Sequence, residues 1–210
     1  MAVFKPTGTS TLIIDSVKPY IKSGKILDLG CGCGIVGKAF ENNVDVSYSD
    51  IDQEAIERLK KEDPDFDARC GSLFEPWQGM RFNYIVDDVS GIAEELAKVS
   101  PWFEGVSCES GEDGADLVCK VIQQAPKYLN PLGKLFFPIV SLSNSRRIRT
   151  AAVNMFENLK LIGTQDFPLP KEMYKHLDLM KKLKDKGFID YKEKFGMVLF
   201  KTEVYMVTKE

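Results

Sequence analysis

Ile26-Leu27-Asp28-Leu29-Gly30-Cys31-Gly32-Cys33-Gly34 decides the fold. A compact apolar run ends in an acid, then in three glycines that alternate with other residues. The run has the length and content of a buried strand. The glycines suit a tight turn whose backbone takes positive φ and lets a ligand come close. On the C-terminal side, GIVGKAFENN (34–43) reads as a helix and VDVSYSD (44–50) as a second, valine-rich strand. QEAIERLKKE (53–62) is a charged helix with Ala55, Ile56 and Leu59 at helical spacing. Upstream, STLIIDSVKPYIK (10–22) is a short amphipathic opening helix.

The same alternation continues to the end. Strands are expected at 65–72, 81–88, 134–142, 159–167 and 201–209, and helices at 91–99, 113–129 and 145–159. NPLG (130–133) carries turn residues. The pattern predicts an α/β fold: a doubly wound, mostly parallel seven-stranded sheet with helices on both faces. With no linker and no internal repeat, 1–210 reads as one domain. Two stretches exceed the minimal repeat: the loop 100–112, and a helical insertion at 168–196 before the last strand, placed to cover a substrate.

In open α/β sheets ligands bind beyond the carboxyl ends of the strands. Asp50 ends the second strand, 18 positions past Gly32, where a carboxylate can accept both hydroxyls of a ribose. Asp28 suits a cationic group, such as a sulfonium or an amine, and suits a pyrophosphate poorly. Gly32-x-Gly34-x-x-Gly37 also satisfies the dinucleotide fingerprint, so a nicotinamide-dependent oxidoreductase stands as an alternative.

On ILDLGCGCGIVG (26–37) and YSDIDQEAIE (48–57) the chain resembles the class I S-adenosylmethionine (SAM)-dependent methyltransferases. Supported by VFKPTGTSTLII (3–14) and GSLFEPWQGMRFNYIV (71–86), it looks most like the small-domain group that includes release-factor glutamine and N6-adenine methyltransferases. The resemblance implies SAM as cofactor. It sets Asp28 and Gly30 against the methionine moiety, Gly32 and Gly34 beneath it, Asp50 on the ribose and Ile51 on the adenine. Thr9 and Ser10 would close over the cofactor. Ser72 stands where the group usually has an acid near the adenine amino group. After the fourth strand that group has an Asn or Asp, two prolines and an aromatic residue. Here the stretch reads Asp87-Asp88-Val89-Ser90-Gly91, with Asp88 at the first motif position and no prolines.

Asp87 and Asp88 are the candidate catalytic pair, able to accept a proton or to orient an acceptor N–H or O–H. Neighbours on a strand point to opposite faces, so one of them is expected to face the site. Trp102, Phe103 and Tyr174 are candidate substrate-binding residues through stacking. His176, the only histidine, lies on the insertion helix, and Arg146, Arg147 and Arg149 form the one dense basic run.

Composition narrows the class. A net charge of -3 and a pI near 5.4 argue against a broadly basic nucleic-acid binder. Glu109, Glu112 and Asp113 are expected to give a negative rim. The chain contains no membrane-length apolar run, and MAVFKPTGTS carries no signal-peptide core. Five cysteines without a CxxC pair predict reduced thiols in a cytoplasm and no metal. These features together favour transfer of a methyl group to N or O of a small-molecule acceptor. An RNA or protein side-chain methyltransferase and a non-catalytic SAM-binding protein are the alternatives within the resemblance.

Overall fold

A computed structural model describes residues 7–89, 91–105 and 108–209. The part of 3–14 before Thr7, Ser90 of the post-strand motif, and 106–107 of the long loop lie outside the described residues.

Eight strands form one sheet: β1 (Lys25–Leu29), β2 (Asp45–Asp50), β3 (Asp67–Cys70), β4 (Phe82–Asp87), β5 (Leu129–Val140), β6 (Leu159–Pro168), β7 (Lys192–Lys194) and β8 (Met197–Thr208). Their order is β3-β2-β1-β4-β5-β8-β6, with β7 paired to β8. β1 to β5 run parallel, whereas β8 is antiparallel to β5, β6 and β7. The seven expected strands are present, and the eighth is the short β7. The order reverses at β1, whose neighbours are β2 and β4, so the carboxyl ends of those three strands frame a crevice.

Local sequence explains the elements that form as read. In α3 (Gln53–Glu62) Asp52 caps the start by accepting the Glu54 N–H, and Ala55, Ile56 and Leu59 face inward. In α6 (Ser145–Met155) the Asn144 side chain accepts the Arg147 N–H. In α5 (Asp116–Tyr128) Pro126 falls in the last turn, where its missing donor disturbs least of the helix.

Three expectations are corrected. The helix at 34–43 shrinks to α2 (Ile35–Lys38), because Ala39, Phe40 and Asn43 close tighter turns onto Val36, Gly37 and Phe40. The helix at 91–99 shrinks to α4 (Glu94–Ala97), since Ala93 donates to Leu142 O and Gly111 O takes the Glu94 N–H. NPLG (130–133) is an irregularity inside β5, with Leu132 at φ 61° and its N–H bound to Lys209 O.

α1 (Gly8–Val17) crosses the sheet at β6. A side chain at Gly163 would run into Ser16, so the glycine lets helix and strand touch, where the β6–β8 register shifts. This contact brings the start of α1 to the carboxyl end of β4. The insertion at 168–196 comprises a 3-10 turn (Lys171–His176), α7 (Leu177–Asp185) and β7. It buries Met173, Met180, Leu183 and Ile189 in a core shared with Leu96, Leu142, Val198 and Phe200. The insertion is thus packed onto the body, beyond the carboxyl ends of β4 and β5.

Candidate active site

The glycine loop leaves β1 with Gly30, Gly32 and Gly34 at φ of 76°, 51° and 76°. A Cβ on Gly30 would stand 2.8 Å from Val89 Cγ1 and 3.0 Å from its backbone nitrogen, so the loop and the segment after β4 press together there. Gly30 and Cys31 N–H both donate to Ser49 O, which ties the loop to the end of β2. Gly37, the third glycine of the dinucleotide fingerprint, is a packing glycine: a side chain there would strike the Tyr48 ring.

Three carboxylates converge around this loop. Asp28 is fully buried: its Oδ2 accepts the Gly37 N–H at 2.7 Å, while Oδ1 has no partner. Asp50 accepts Gly32 N–H on one oxygen at 2.8 Å and Asp52 N–H on the other at 2.9 Å. These bonds leave lone pairs on both oxygens. Asp88 accepts the Ser10 hydroxyl at 2.7 Å. Burial pushes the Asp28 carboxyl up to about 8, against the pull of the Gly37 N–H and with help from the charges of Asp88 and Asp50. Burial likewise raises Asp50 and brings Asp88 to about 7, against the Ser10 hydrogen bond.

Beyond β2, Ile51 is 71% exposed, an apolar side chain left uncovered at the loop rim. Ser72 is half-buried, and its N–H bonds the Glu75 carboxylate, so a carboxylate does lie at the end of β3, three residues later than the pattern implies.

A cavity of about 550 Å³ opens on the far side of Asp88. Trp102, Phe103 and Tyr174 all line it, with Pro138 and Val140 from β5 and Phe167 and Phe200 from the β6–β8 pair. The Tyr174 hydroxyl takes the Val198 N–H, which fixes its ring. Lys171 is the one cationic residue in the lining among the described residues. Local sequence did not reveal the β5, β6 and β8 contributions. They meet only through antiparallel pairing of distant strands, and alternation in MVLFKTEV (197–204) was the available signal.

Several candidates fall elsewhere. Asp87 is fully buried, binds Val89 N–H and does not line the cavity, because it points to the opposite face from Asp88. Ser10 donates to Asp88, and Thr9 lines the cavity and faces Thr202 at 3.3 Å. His176 does not line the cavity. The expected negative rim is reduced: Asp113 is buried against Arg147 and Asn144, Glu112 is exposed but pairs with Lys186, and Glu109 stays exposed. Arg147 pairs with Asp113 and Asp116 and Arg149 with Glu203, each still about half exposed, while Arg146 is exposed.

Residues 6–88 match the family model described as methyltransferase small domain. Over that stretch the chain is similar to the methyltransferase small-domain family. The release factor glutamine methyltransferase of Geobacter sulfurreducens is 26% identical over 142 residues, which are 60% of this chain and 49% of that protein. Ribosomal RNA small subunit methyltransferase C of Haemophilus influenzae is 28% identical over 134 residues, 61% of this chain and 36% of that one. The chain thus matches about half the length of these curated relatives, or less. In fold it superposes on a chain of the E. cuniculi Mtq2–Trm112 complex, responsible for methylation of the eRF1 translation termination factor, at a TM-score of 0.61 and 11% identity over 100% of both chains. No helix among the described residues is long and apolar enough to cross a membrane.

The residues around the glycine loop fit SAM. SAM carries a sulfonium, an amine, a ribose and an adenine. The orphaned Asp28 oxygen, the cluster of three carboxylates, the free lone pairs of Asp50 and the uncovered Ile51 offer complementary chemistry to each. A pH dependence follows. Asp28 and Asp88 hold protons near neutrality, and a bound cation favours their ionised forms. SAM binding is therefore expected to release protons and to tighten as pH rises from 6 to 9, by up to about tenfold per unit for each proton released. S-adenosylhomocysteine, with a neutral sulfur, is expected to gain less. Because both folded values lie above the unfolded 3.8, the unliganded protein loses stability as pH climbs from about 4 through 8. Calorimetry in buffers of different ionisation enthalpy checks the proton release; a pH-independent ratio of the two affinities contradicts it.

Proposed function

We propose that this chain transfers the SAM methyl group to a protein side-chain N–H or O–H that enters the apolar cavity end-on. The reading rests on one observation: Asp88 stands where the glycine-loop site and the aromatic cavity adjoin, and it belongs to both. SAM supplies an electrophilic methyl for direct in-line displacement. Asp28, Asp50 and Ile51 would hold the cofactor. Trp102, Tyr174, Phe167 and Phe200 would align the acceptor and exclude water, and Asp88 would orient its N–H or O–H and take up the proton. Positioning of this kind supplies a large share of the rate in such transfers.

Two of the similar proteins above are named for methylating translation termination factors, and one for ribosomal RNA. The net charge of -3 and the carboxylate pairing of Arg147 and Arg149 favour the protein acceptor over a phosphate backbone. A small apolar molecule is the second reading, favoured by a cavity volume in the range of small-ligand pockets. Incubation of the protein with methyl-labelled SAM and a cell extract separates the cases. Label in protease-sensitive, RNase-resistant material supports the protein acceptor. Label confined to RNA, or to the low-mass fraction, replaces it.

A further inference from the structure

The insertion ends in a short hairpin, β7 against the start of β8. β7 and β8 are joined by Phe195-Gly196 alone, with φ of 51° and 71°. Both central residues of such a turn are left-handed, a position where asparagine followed by glycine is the ordinary choice. Here a phenylalanine occupies the first position and is 87% exposed. A large apolar residue therefore sits in an unfavourable conformation and gains no burial from it. Local rules broken without a folding benefit mark a residue kept for contact with something else.

The neighbours say what that something is. Met197, the next residue after the turn, is 44% exposed and lines the cavity. Lys194 pairs with Met197 across the hairpin, and its ammonium lies 5.2 Å from the Phe195 ring centre. Lys192 is exposed one step along, and Lys171 lines the cavity itself. Across 168–196 there are eight lysines against five acids, in a chain whose net charge is -3. The insertion is thus a basic, aromatic-tipped element on an otherwise acidic molecule, and it borders the acceptor cavity.

We infer that the β7–β8 hairpin is the acceptor-docking element, and that its occupant is a stretch of substrate protein carrying carboxylates and an apolar side chain beside the methylated residue. The inference rests on the protein-acceptor reading above. Phe195 and Met197 would receive the apolar side chain, and Lys171, Lys192 and Lys194 the carboxylates. Lysine fits here as a flexible point charge that tolerates varied carboxylate geometry.

The test uses the full chain with S-adenosylhomocysteine present and three fluorescein-labelled probes: a short peptide alternating Glu and Leu, the same peptide with Lys for Glu, and an RNA oligonucleotide. Anisotropy is expected to rank the acidic peptide first, with binding that weakens as salt increases. Phe195→Gly relieves the turn, so its fold is retained, and it is expected to weaken the acidic peptide about tenfold, the size of a modest hot-spot residue. Lys192→Glu with Lys194→Glu is expected to do the same and to reverse the preference toward the basic peptide. SAM affinity, measured by calorimetry on the same samples, should stay unchanged in both variants. Equal peptide binding by all three proteins, no binding by the parent, or tighter binding of the RNA overturns the inference. Loss of SAM binding by the parent chain would instead overturn the methyltransferase reading itself.

Discussion

Replacement of Asp88 by asparagine is expected to lower methyl transfer by about 10²–10³-fold, the range for loss of a positioned proton acceptor, with cofactor binding much less affected. The asparagine amide oxygen can still accept the Ser10 hydroxyl that Asp88 holds at 2.7 Å, so the segment after β4 keeps its shape. What disappears is the charge and the ability to take a proton. Ser10→Ala makes the complementary change: the carboxylate stays but loses a hydrogen bond that favours its ionised form. Burial already holds Asp88 near 7, so its titration should move higher. Turnover in Ser10→Ala is then expected to fall at pH 7 and to recover above pH 8, whereas Asp88→Asn stays low throughout. Initial rates across pH on the labelled acceptor fraction read both. Full activity in Asp88→Asn would remove Asp88 from the chemistry and leave it as an anchor for α1.

The part of the site that the sequence made legible is the part built from neighbouring residues. Asp28, the three glycines and Asp50 are placed by one strand, one turn and the next strand, and local backbone rules determine all of it. The wall of the cavity was only half legible. Trp102, Phe103 and Tyr174 stood out as aromatic residues in segments left over from the βα alternation. Phe167 and Phe200 looked like ordinary strand residues, and only the β6–β8 pairing turns them toward Asp88. The same reasoning explains Asp87 and Asp88. Strand alternation required one to face away, but which one depends on how β4 is seated against β1, where Leu29 pairs with Asp87. Asp113 misled for a different reason: its charge was visible, while its partner Arg147 lies 34 residues along the chain.

Asp50→Ala is expected to weaken SAM binding by about 100-fold, or roughly 2.7 kcal/mol. Two losses add. The backbone N–H groups of Gly32 and Asp52 lose the acceptor that each now has, at about 1–3 kcal/mol for a group left unsatisfied. The ribose hydroxyls lose a charged acceptor as well. Because the first loss loosens the loop with or without ligand, Asp50→Ala alone would not separate a structural role from a binding one. Ile51→Ser does. With 71% of its surface exposed, Ile51 contributes little to folding, so the variant should unfold at the same temperature as the parent. If adenine packs on this side chain, the apolar area lost to the ligand should still cost about 1 kcal/mol of affinity, several-fold in Kd. Weakened binding at unchanged melting temperature places the adenine on Ile51. Unchanged affinity in both variants removes the cofactor from the end of β2 altogether, since among the described residues no other apolar side chain beside Asp50 is as exposed.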